Sequence, residues 1–351
     1  MKFNYPLNDN EVFVIAEAGS NWKVGTLEED IERSEELIRA ASNAGADAVK
    51  FQTYRSSSVY SENAGKSDYL TKQGMKENIE DIFDEFSMPY EIIPKLAEIC
   101  KKYQIEFMST PFSVEDAKQV DPFVSAHKIA SFEINHVRLL EFIAKTKKPI
   151  FISTGASTTS EIKFALDVCK NNGNEQVTLL QCTSKYPAPL SSMNLSVIKN
   201  LKDEFNIPVG FSDHSVEPII APLLSISYGA SVIEKHFTMN RKLPGPDHSF
   251  ALEPNELKEM ISVVKNASSV IGTGIKDVQD EEKELRQFAK RSLQAIKDIK
   301  KGELLQEGVN FDVLRPGNNL RGIDAMFLEK CNGKRSKFEI KKGEGITDFE
   351  E

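Results

Sequence analysis

Histidine, cysteine and tryptophan are scarce in this chain: five, four and one among 351 residues. The cysteines, Cys100, Cys169, Cys182 and Cys331, stand far apart and form no C-x-x-C pair. That excludes a zinc ribbon or a disulfide framework and suits a reducing compartment. No apolar run approaches the roughly 18 residues of a membrane span. The first residues, Met-Lys-Phe-Asn-Tyr-Pro-Leu-Asn-Asp, lack the apolar core of a signal peptide. The expected location is the cytoplasm, with no membrane partner. An excess of positive charge is missing too. The net charge is −9, which disfavours nucleic acid as a partner. Residues 286–351 carry 14 Lys and Arg against 11 Asp and Glu, so the tail is at +3 and the first 285 residues at −12.

What is present is alternation. Strand-like apolar runs occur at Val12–Glu17, Ala48–Gln52, Glu106–Ser109, Ala126–Ser131, Pro149–Ser153, Val177–Thr183, Pro208–Ser212 and Ala230–His236. Amphipathic stretches separate them, such as Leu27, Ile31, Ser34, Ile38 and Ala41, and the series from Leu257 to Ile271. Runs like Val-Phe-Val-Ile-Ala are apolar on both faces, as parallel strands covered by helices must be. Eight βα units predict a (β/α)₈ TIM barrel over residues 1–275; a doubly wound open sheet is the rival. Residues 53–88 form a long polar connection, read as a lid with a short helix over Asn78–Phe86.

Past the barrel, an acidic helical segment, Asp277–Gln287, falls in an expected linker over 276–290. Residues 291–351 change texture, with β-like runs at Ser292–Ile296, Phe311–Leu314 and Phe338–Ile340. The tetrapeptide Lys-Lys-Gly-Glu occurs twice, at Lys300–Glu303 and Lys341–Glu344. A small β-rich module with pseudo-symmetric halves is expected there.

Active sites of such barrels form where strands end, and polar residues gather at all eight ends here. Lys50 and Lys128 lie within apolar strands, where an unpaired charge costs several kcal/mol. Thr110, Ser131, Ser153 and Ser212 add hydroxyl donors from other strands. Two ammonium groups and a ring of hydroxyls suit a phosphate and a carboxylate together; a Schiff-base aldolase is the competing use of a barrel lysine. His214 and His236 close neighbouring strands with Glu17 and Glu234 nearby. Two imidazoles plus oxygen ligands fit Mn²⁺ or a similar divalent ion better than a closed zinc site. Asp213 and Asp247 are further carboxylates, and Asp213 can equally be a structural partner of the His214 loop. A phosphate-and-carboxylate pocket beside an open metal points to phosphoenolpyruvate and a carbonyl compound.

The motifs Ala16-Glu17-Ala18-Gly19-Ser20-Asn21, Val49-Lys50-Phe51-Gln52, Lys128-Ile129-Ala130-Ser131-Phe132-Glu133, Gly210-Phe211-Ser212-Asp213-His214, Glu234-Lys235-His236-Phe237 and Pro244-Gly245-Pro246-Asp247-His248 resemble the sialic acid synthase family. That family includes the spore-coat polysaccharide, legionaminic and pseudaminic acid synthases. The tail, with Lys297–Glu303 and Leu314-Arg315-Pro316-Gly317, resembles its antifreeze-like (SAF) domain. The resemblance implies that Lys50, Thr110, Lys128, Ser131, Ser153 and Ser212 hold phosphoenolpyruvate. It implies that His214 and His236 bind Mn²⁺, with Mg²⁺ or Co²⁺ as substitutes. Glu17, Tyr186, Asp247 and Phe288 would line the sugar side, and Arg315 would reach the acyl-amino group. Glu133 would act near the water and phosphate, and Glu234 near the aldehyde. The implied reaction joins C3 of phosphoenolpyruvate to the aldehyde of an open-chain 2-acylamino sugar of N-acetylmannosamine type, giving a nonulosonic acid and phosphate. Two residues depart from the family pattern: Trp22 stands where a histidine is usual and is expected to remove a polar group from the rim, and Ser184 replaces an asparagine.

Two other readings stay open: a phosphoenolpyruvate aldol synthase using a phosphorylated aldose, and a carbohydrate- or ice-binding module on an inactive barrel. The tail of about 60 residues has a marginal core by itself, and its +3 complements the acidic barrel. It caps its own barrel or another's. The resemblance favours a domain-swapped homodimer in which Arg315 completes the partner's site.

Overall fold

Valine, isoleucine and phenylalanine dominate the short runs, and each forms a strand buried on both faces. In the computed structural model, which describes residues 11–72, 75 and 77–350, the strands are β1 (Phe13–Gly19), β2 (Ala48–Thr53), β3 (Glu106–Pro111), β4 (His127–Ile129), β5 (Ile150–Ser153), β6 (Val177–Cys182), β7 (Val209–Asp213) and β8 (Val232–His236). All pairings are parallel, in the order β3-β2-β1-β8-β7-β6-β5-β4. The two end strands, β3 and β4, come side by side. The sheet is therefore a nearly closed barrel of the TIM type, and the open-sheet rival falls.

Helices fill the gaps, and their ends are written in the sequence. Thr26 and Glu29 form a capping box at the start of Leu27–Ala44, which Gly45 ends in the left-handed conformation, φ 89°. Thr158 and Glu161 repeat the box ahead of Thr159–Asn171. Pro254 occupies the first turn of Pro254–Ile271.

The two faces of each strand serve different cores. Outward residues, among them Val49, Phe51, Phe107, Ile129, Leu179, Phe211 and Ile233, pack under the helices. Each such side chain contributes about 1.5–3 kcal/mol when fully buried. Inward residues Ile15, Ala48, Met108, Ala126, Phe151, Leu180 and Val232 form a separate apolar plug inside the barrel.

The segment between β2 and the helix Ile93–Lys102 holds three short helices, Ser56–Val59, Asp68–Lys72 and Ile79–Glu85. The last matches the helix expected at 78–86. Tyr54, Leu70, Ile79, Ile82 and Phe86 give the segment its own apolar cluster, and Phe112 at the end of β3 packs against it. Arg55 at its start donates to the Met88 carbonyl at its end, 2.9 Å, and stacks on Tyr90.

The chain divides into two compact units, after Gly272. In the second, the expected linker contains the turn Asp280–Glu282 and the helix Lys283–Ala289. The Phe288 carbonyl accepts from Gly317 N at 3.0 Å, so this helix belongs with the tail. β9 (Ser292–Ala295) pairs antiparallel with β10 (Phe311–Leu314). Leu293, Ile299, Leu305, Phe311, Cys331, Ile340 and Ile346 form its core. The run at 338–340 is not a strand; only Ile340 makes a bridge, to Ile299. Both Lys-Lys-Gly-Glu copies are the same turn. Glu303 N bonds Lys300 O and Glu344 N bonds Lys341 O, each at 3.0 Å, and Gly302 and Gly343 sit at φ 78° and 92°.

Candidate active site

The period of two along a strand decides the site. Above the plug, and two residues beyond its members on every strand but β7, each of the eight strands presents one side chain to a common cavity: Glu17, Lys50, Thr110, Lys128, Ser153, Cys182, Ser212 and Glu234. The cavity has a volume of about 50 Å³. Gln52, Phe112, Ser131, Tyr186, His214 and His236 form its upper wall.

One half of the ring is ionic. Lys50 Nζ lies 2.5 Å from Glu17 Oε2, donates to Thr110 Oγ1 at 3.0 Å, and is 3.8 Å from Glu234 Oε2. Lys128 Nζ donates to Ser153 Oγ at 2.7 Å and stands 3.6 Å from Glu234 Oε1. Ser212 Oγ donates to the same Glu234 oxygen at 3.0 Å. Glu234 thus lies between two ammonium groups. Burial alone would raise its carboxyl, but Lys128 and Lys50 outweigh that and hold it down to about 2. Glu17 has only Lys50. Burial pushes it up to about 7, against Lys50 and with help from Glu234. Burial lowers Lys128 from the usual lysine range, whereas Glu17 and Glu234 overcome the same penalty at Lys50 and raise it.

The other half is aromatic. The His214 and His236 rings are 5.5 Å apart, Tyr186 lies tilted 4.2 Å from His214, and Phe250 lies 5.0 Å from His236. His214 Nδ1 faces the Thr183 carbonyl at 3.0 Å. A neutral ring donates there and keeps its lone pair on Nε2. His236 Nδ1 is buried and finds no hydrogen-bond partner among the described residues. Burial, then His214 and Lys50, hold this imidazole well below its ordinary range, so it is neutral at pH 7. Among the described residues no three His, Cys, Asp or Glu side chains are arranged around one metal position.

The remaining predicted residues fall elsewhere. Ser131 Oγ accepts from Gly155 N at 3.0 Å on the cavity wall. Glu133 is buried behind it; burial lifts its carboxyl to about 7 against the pull of Lys128, and Oε2 lacks a hydrogen-bond partner among the described residues. Asp247 does not line the cavity. Its Oδ2 accepts from Ser20 N and Ser20 Oγ, at 2.9 and 2.8 Å, and fixes the loop after β1. Phe288 and Arg315 belong to the second unit, where both are exposed and the Gly317–Phe288 bond ties their loops together.

Sequence reasoning passed over Gln52 and Cys182. Gln52 Nε2 donates to Glu17 Oε1 at 2.9 Å, and Cys182 Sγ lies 3.7 Å from His214 Nδ1. Stepping two residues from Lys50 and from Leu180 locates both. Trp22 is a correction. It is 1% exposed and packed in the helix-side core, not on the rim. The turn Asn21 N to Ala18 O and Lys23 N to Ser20 O folds it inward.

A (β/α)₈-type barrel carrying a ring of ammonium, carboxylate and hydroxyl groups beside two imidazoles defines the class of this protein. Residues 37–276 match the NeuB family. The chain is 38% identical over 349 residues to the pseudaminic acid synthase of Campylobacter jejuni, covering 97% of this chain and 98% of that one. It is 37% identical to the N,N'-diacetyllegionaminic acid synthase of the same species, over 96% and 99%. The crystal structure of N-acetylneuraminic acid synthetase from Leptospira borgpetersenii, in complex with citrate, superposes with a TM-score of 0.70 and 30% identity, over 82% of this chain and 96% of that one. This chain is a member of the NeuB family, the sialic acid synthases.

Proposed function

We propose that this protein condenses phosphoenolpyruvate with an open-chain 2-acylamino sugar to form a nonulosonic acid and phosphate. The observation that carries this reading is the convergence of Lys50, Lys128 and four hydroxyl groups on one cavity that two imidazoles overlook. Three relatives named as synthases of nonulosonic acids support it.

In this reading Lys50, Thr110, Lys128, Ser131, Ser153 and Ser212 bind the phosphate and carboxylate of phosphoenolpyruvate. Glu234, ionised between two ammonium groups, orients both. Glu17 and Glu133, with values near 7, can each hold or release a proton at neutral pH. C3 of phosphoenolpyruvate bonds to the aldehyde carbon of the sugar. Water adds at C2, the bond from C2 to the phosphate oxygen breaks, and phosphate leaves. Tyr186, Asp247, Phe288 and Arg315 are assigned to the sugar, and the second unit to the antifreeze-like type.

His214 and His236 would hold a divalent cation, Mn²⁺ foremost. The orphaned His236 Nδ1 and the carbonyl-anchored His214 ring fit that role. Two imidazoles cannot close a structural site, but they suit an open one that keeps positions for oxygen. When bound, the cation would supply Lewis-acid polarisation of the aldehyde oxygen.

The test is incubation with phosphoenolpyruvate, Mn²⁺ and a panel of 2-acylamino and 2,4-diacylamino hexoses, following phosphate release and the mass of the product. One sugar of the panel should release phosphate stoichiometrically with a nonulosonic acid. Release only with phosphorylated aldoses would replace this reading with that of a 3-deoxy sugar acid synthase.

A further inference from the structure

Asp213 and Lys235 take no part in the cavity. They are Cα partners on neighbouring strands β7 and β8, with side chains on the outer face of the barrel. Both are almost completely buried, at 1% exposure. Their neighbours in sequence are the functional ones: Ser212 and His214 flank Asp213, and Glu234 and His236 flank Lys235.

The Lys235 ammonium is unusually well enclosed. Nζ lies 2.6 Å from Asp213 Oδ2, 2.6 Å from Ser215 O, 3.0 Å from Glu217 O and 3.1 Å from Ser215 Oγ. Asp213 in turn accepts from Ser215 N at 2.7 Å and from Ser215 Oγ at 3.1 Å. The loop of residues 213–217 is therefore wrapped around one cation that grows from β8. His214 is part of that loop, and His236 is the residue after the cation.

We propose that Lys235 is a positioning residue that sets the placement of His214 relative to His236 for divalent-cation binding. This rests on the reading of the two histidines as cation ligands. Stability alone does not account for the arrangement, because a buried ion pair is commonly no better for stability than apolar side chains of the same volume. Its directional bonds do something apolar packing does not: they fix one geometry for a loop whose partner lies on another strand. Most of the anion half, Lys50, Thr110, Lys128, Ser131 and Ser153, hangs on β2 to β5, away from this knot, and only Ser212 and Glu234 adjoin it.

The test uses the full chain and Mn²⁺ alone, with binding followed by the electron paramagnetic resonance signal of free Mn²⁺. Lys235→Met should weaken Mn²⁺ binding by about 10- to 100-fold, the usual effect of removing a group that supports metal ligands. Affinity for phosphoenolpyruvate, measured without metal, should fall far less, by no more than a few-fold, because of its six assigned ligands only Ser212 adjoins the knot. Asp213→Asn keeps the shape and removes one charge, and it should weaken Mn²⁺ by a smaller factor. Folded Lys235→Met protein with unchanged Mn²⁺ affinity overturns the proposal. So does an equal loss of Mn²⁺ and phosphoenolpyruvate affinity, which would mean general loosening. If Lys235→Met does not fold, unchanged Mn²⁺ affinity in Asp213→Asn overturns it. Absence of Mn²⁺ binding by the unsubstituted chain removes the metal reading itself, and that result is visible before any substitution is made.

Discussion

The two halves of the cavity are built on opposite principles. On β2 to β5, together with Glu17 and Glu234, charges are packed against counter-charges. On β6 to β8 the wall is rings, the two imidazoles meeting Tyr186 at a tilt and Phe250 edge-on. A charged guest gains most where ammonium groups already stand desolvated, and a cation gains most where lone pairs face away from competing ammonium groups. Position within the cavity therefore assigns chemistry more sharply than residue type does.

Removing the imidazole half should give the largest effect. The His214→Ala, His236→Ala double variant in chelator is expected to lose about 10³-fold in kcat, the equivalent of several kcal/mol of Lewis-acid stabilisation. Phosphoenolpyruvate affinity should hold. Mn²⁺ should restore the chelated wild type but not the variant; wild-type turnover in chelator would erase the distinction between the halves.

Next comes the ionic half. Lys128→Met removes a charge-assisted bond of about 1.5–3 kcal/mol, so phosphoenolpyruvate binding should weaken by about 10- to 150-fold. Calorimetry should find Mn²⁺ affinity unaltered. Borohydride should trap no adduct on Lys50 or Lys128. A trapped adduct would turn the anion pocket into a Schiff-base site.

A smaller effect concerns pH. Glu17 and Glu133 are raised to about 7, so they ionise as pH climbs from 6 to 8 and add negative charge to the ionic half. Affinity for sulfate, which does not titrate there, should fall several-fold over that interval. A flat profile would mean that both carboxyls are ionised throughout. The same shift bears on stability. Between their ordinary value of 4.5 and about 7 the folded chain binds more protons than the unfolded chain, so these groups lower stability as pH rises across that window. Glu234, held at about 2, has the opposite sign and loses its contribution as pH falls from 4.5 towards 2.

The subtlest readout is complementation. If Arg315 serves a partner's cavity, mixing Lys128→Met and Arg315→Ala chains should restore about a quarter to a half of wild-type activity by subunit counting. No recovery despite proven exchange would confine Arg315 to its own chain.

The barrel was legible because each strand carries a pattern that only a two-sided burial explains, and the ring because Lys50 and Lys128 are anomalous in such strands. Cys182 was hidden by the same logic, since a thiol in an apolar run reads as one more hydrophobe. Trp22 misled because a turn reverses the direction in which a residue past a strand end points, and no periodicity encodes that. The bond by which Asp247 holds Ser20 spans 227 residues, and no local pattern announces it. In the tail, the repeated Lys-Lys-Gly-Glu announced two turns correctly, since glycine at positive φ is a local demand. The strand at 338–340 depended on distant pairing and failed.

The apolar plug beneath the ring has an electrical consequence. Ile15, Met108, Phe151, Leu180 and Val232 form an insulating floor, so field lines from the lysines cannot spread downward and leave through the mouth. With Glu17 protonated, the ring carries one net positive charge inside a chain of net charge −9. An approaching anion meets this aperture as a small positive lens set in a repelling surface. Its rate of capture should therefore follow the charge of eight residues, and added salt should dull the lens and the surrounding repulsion in opposite senses.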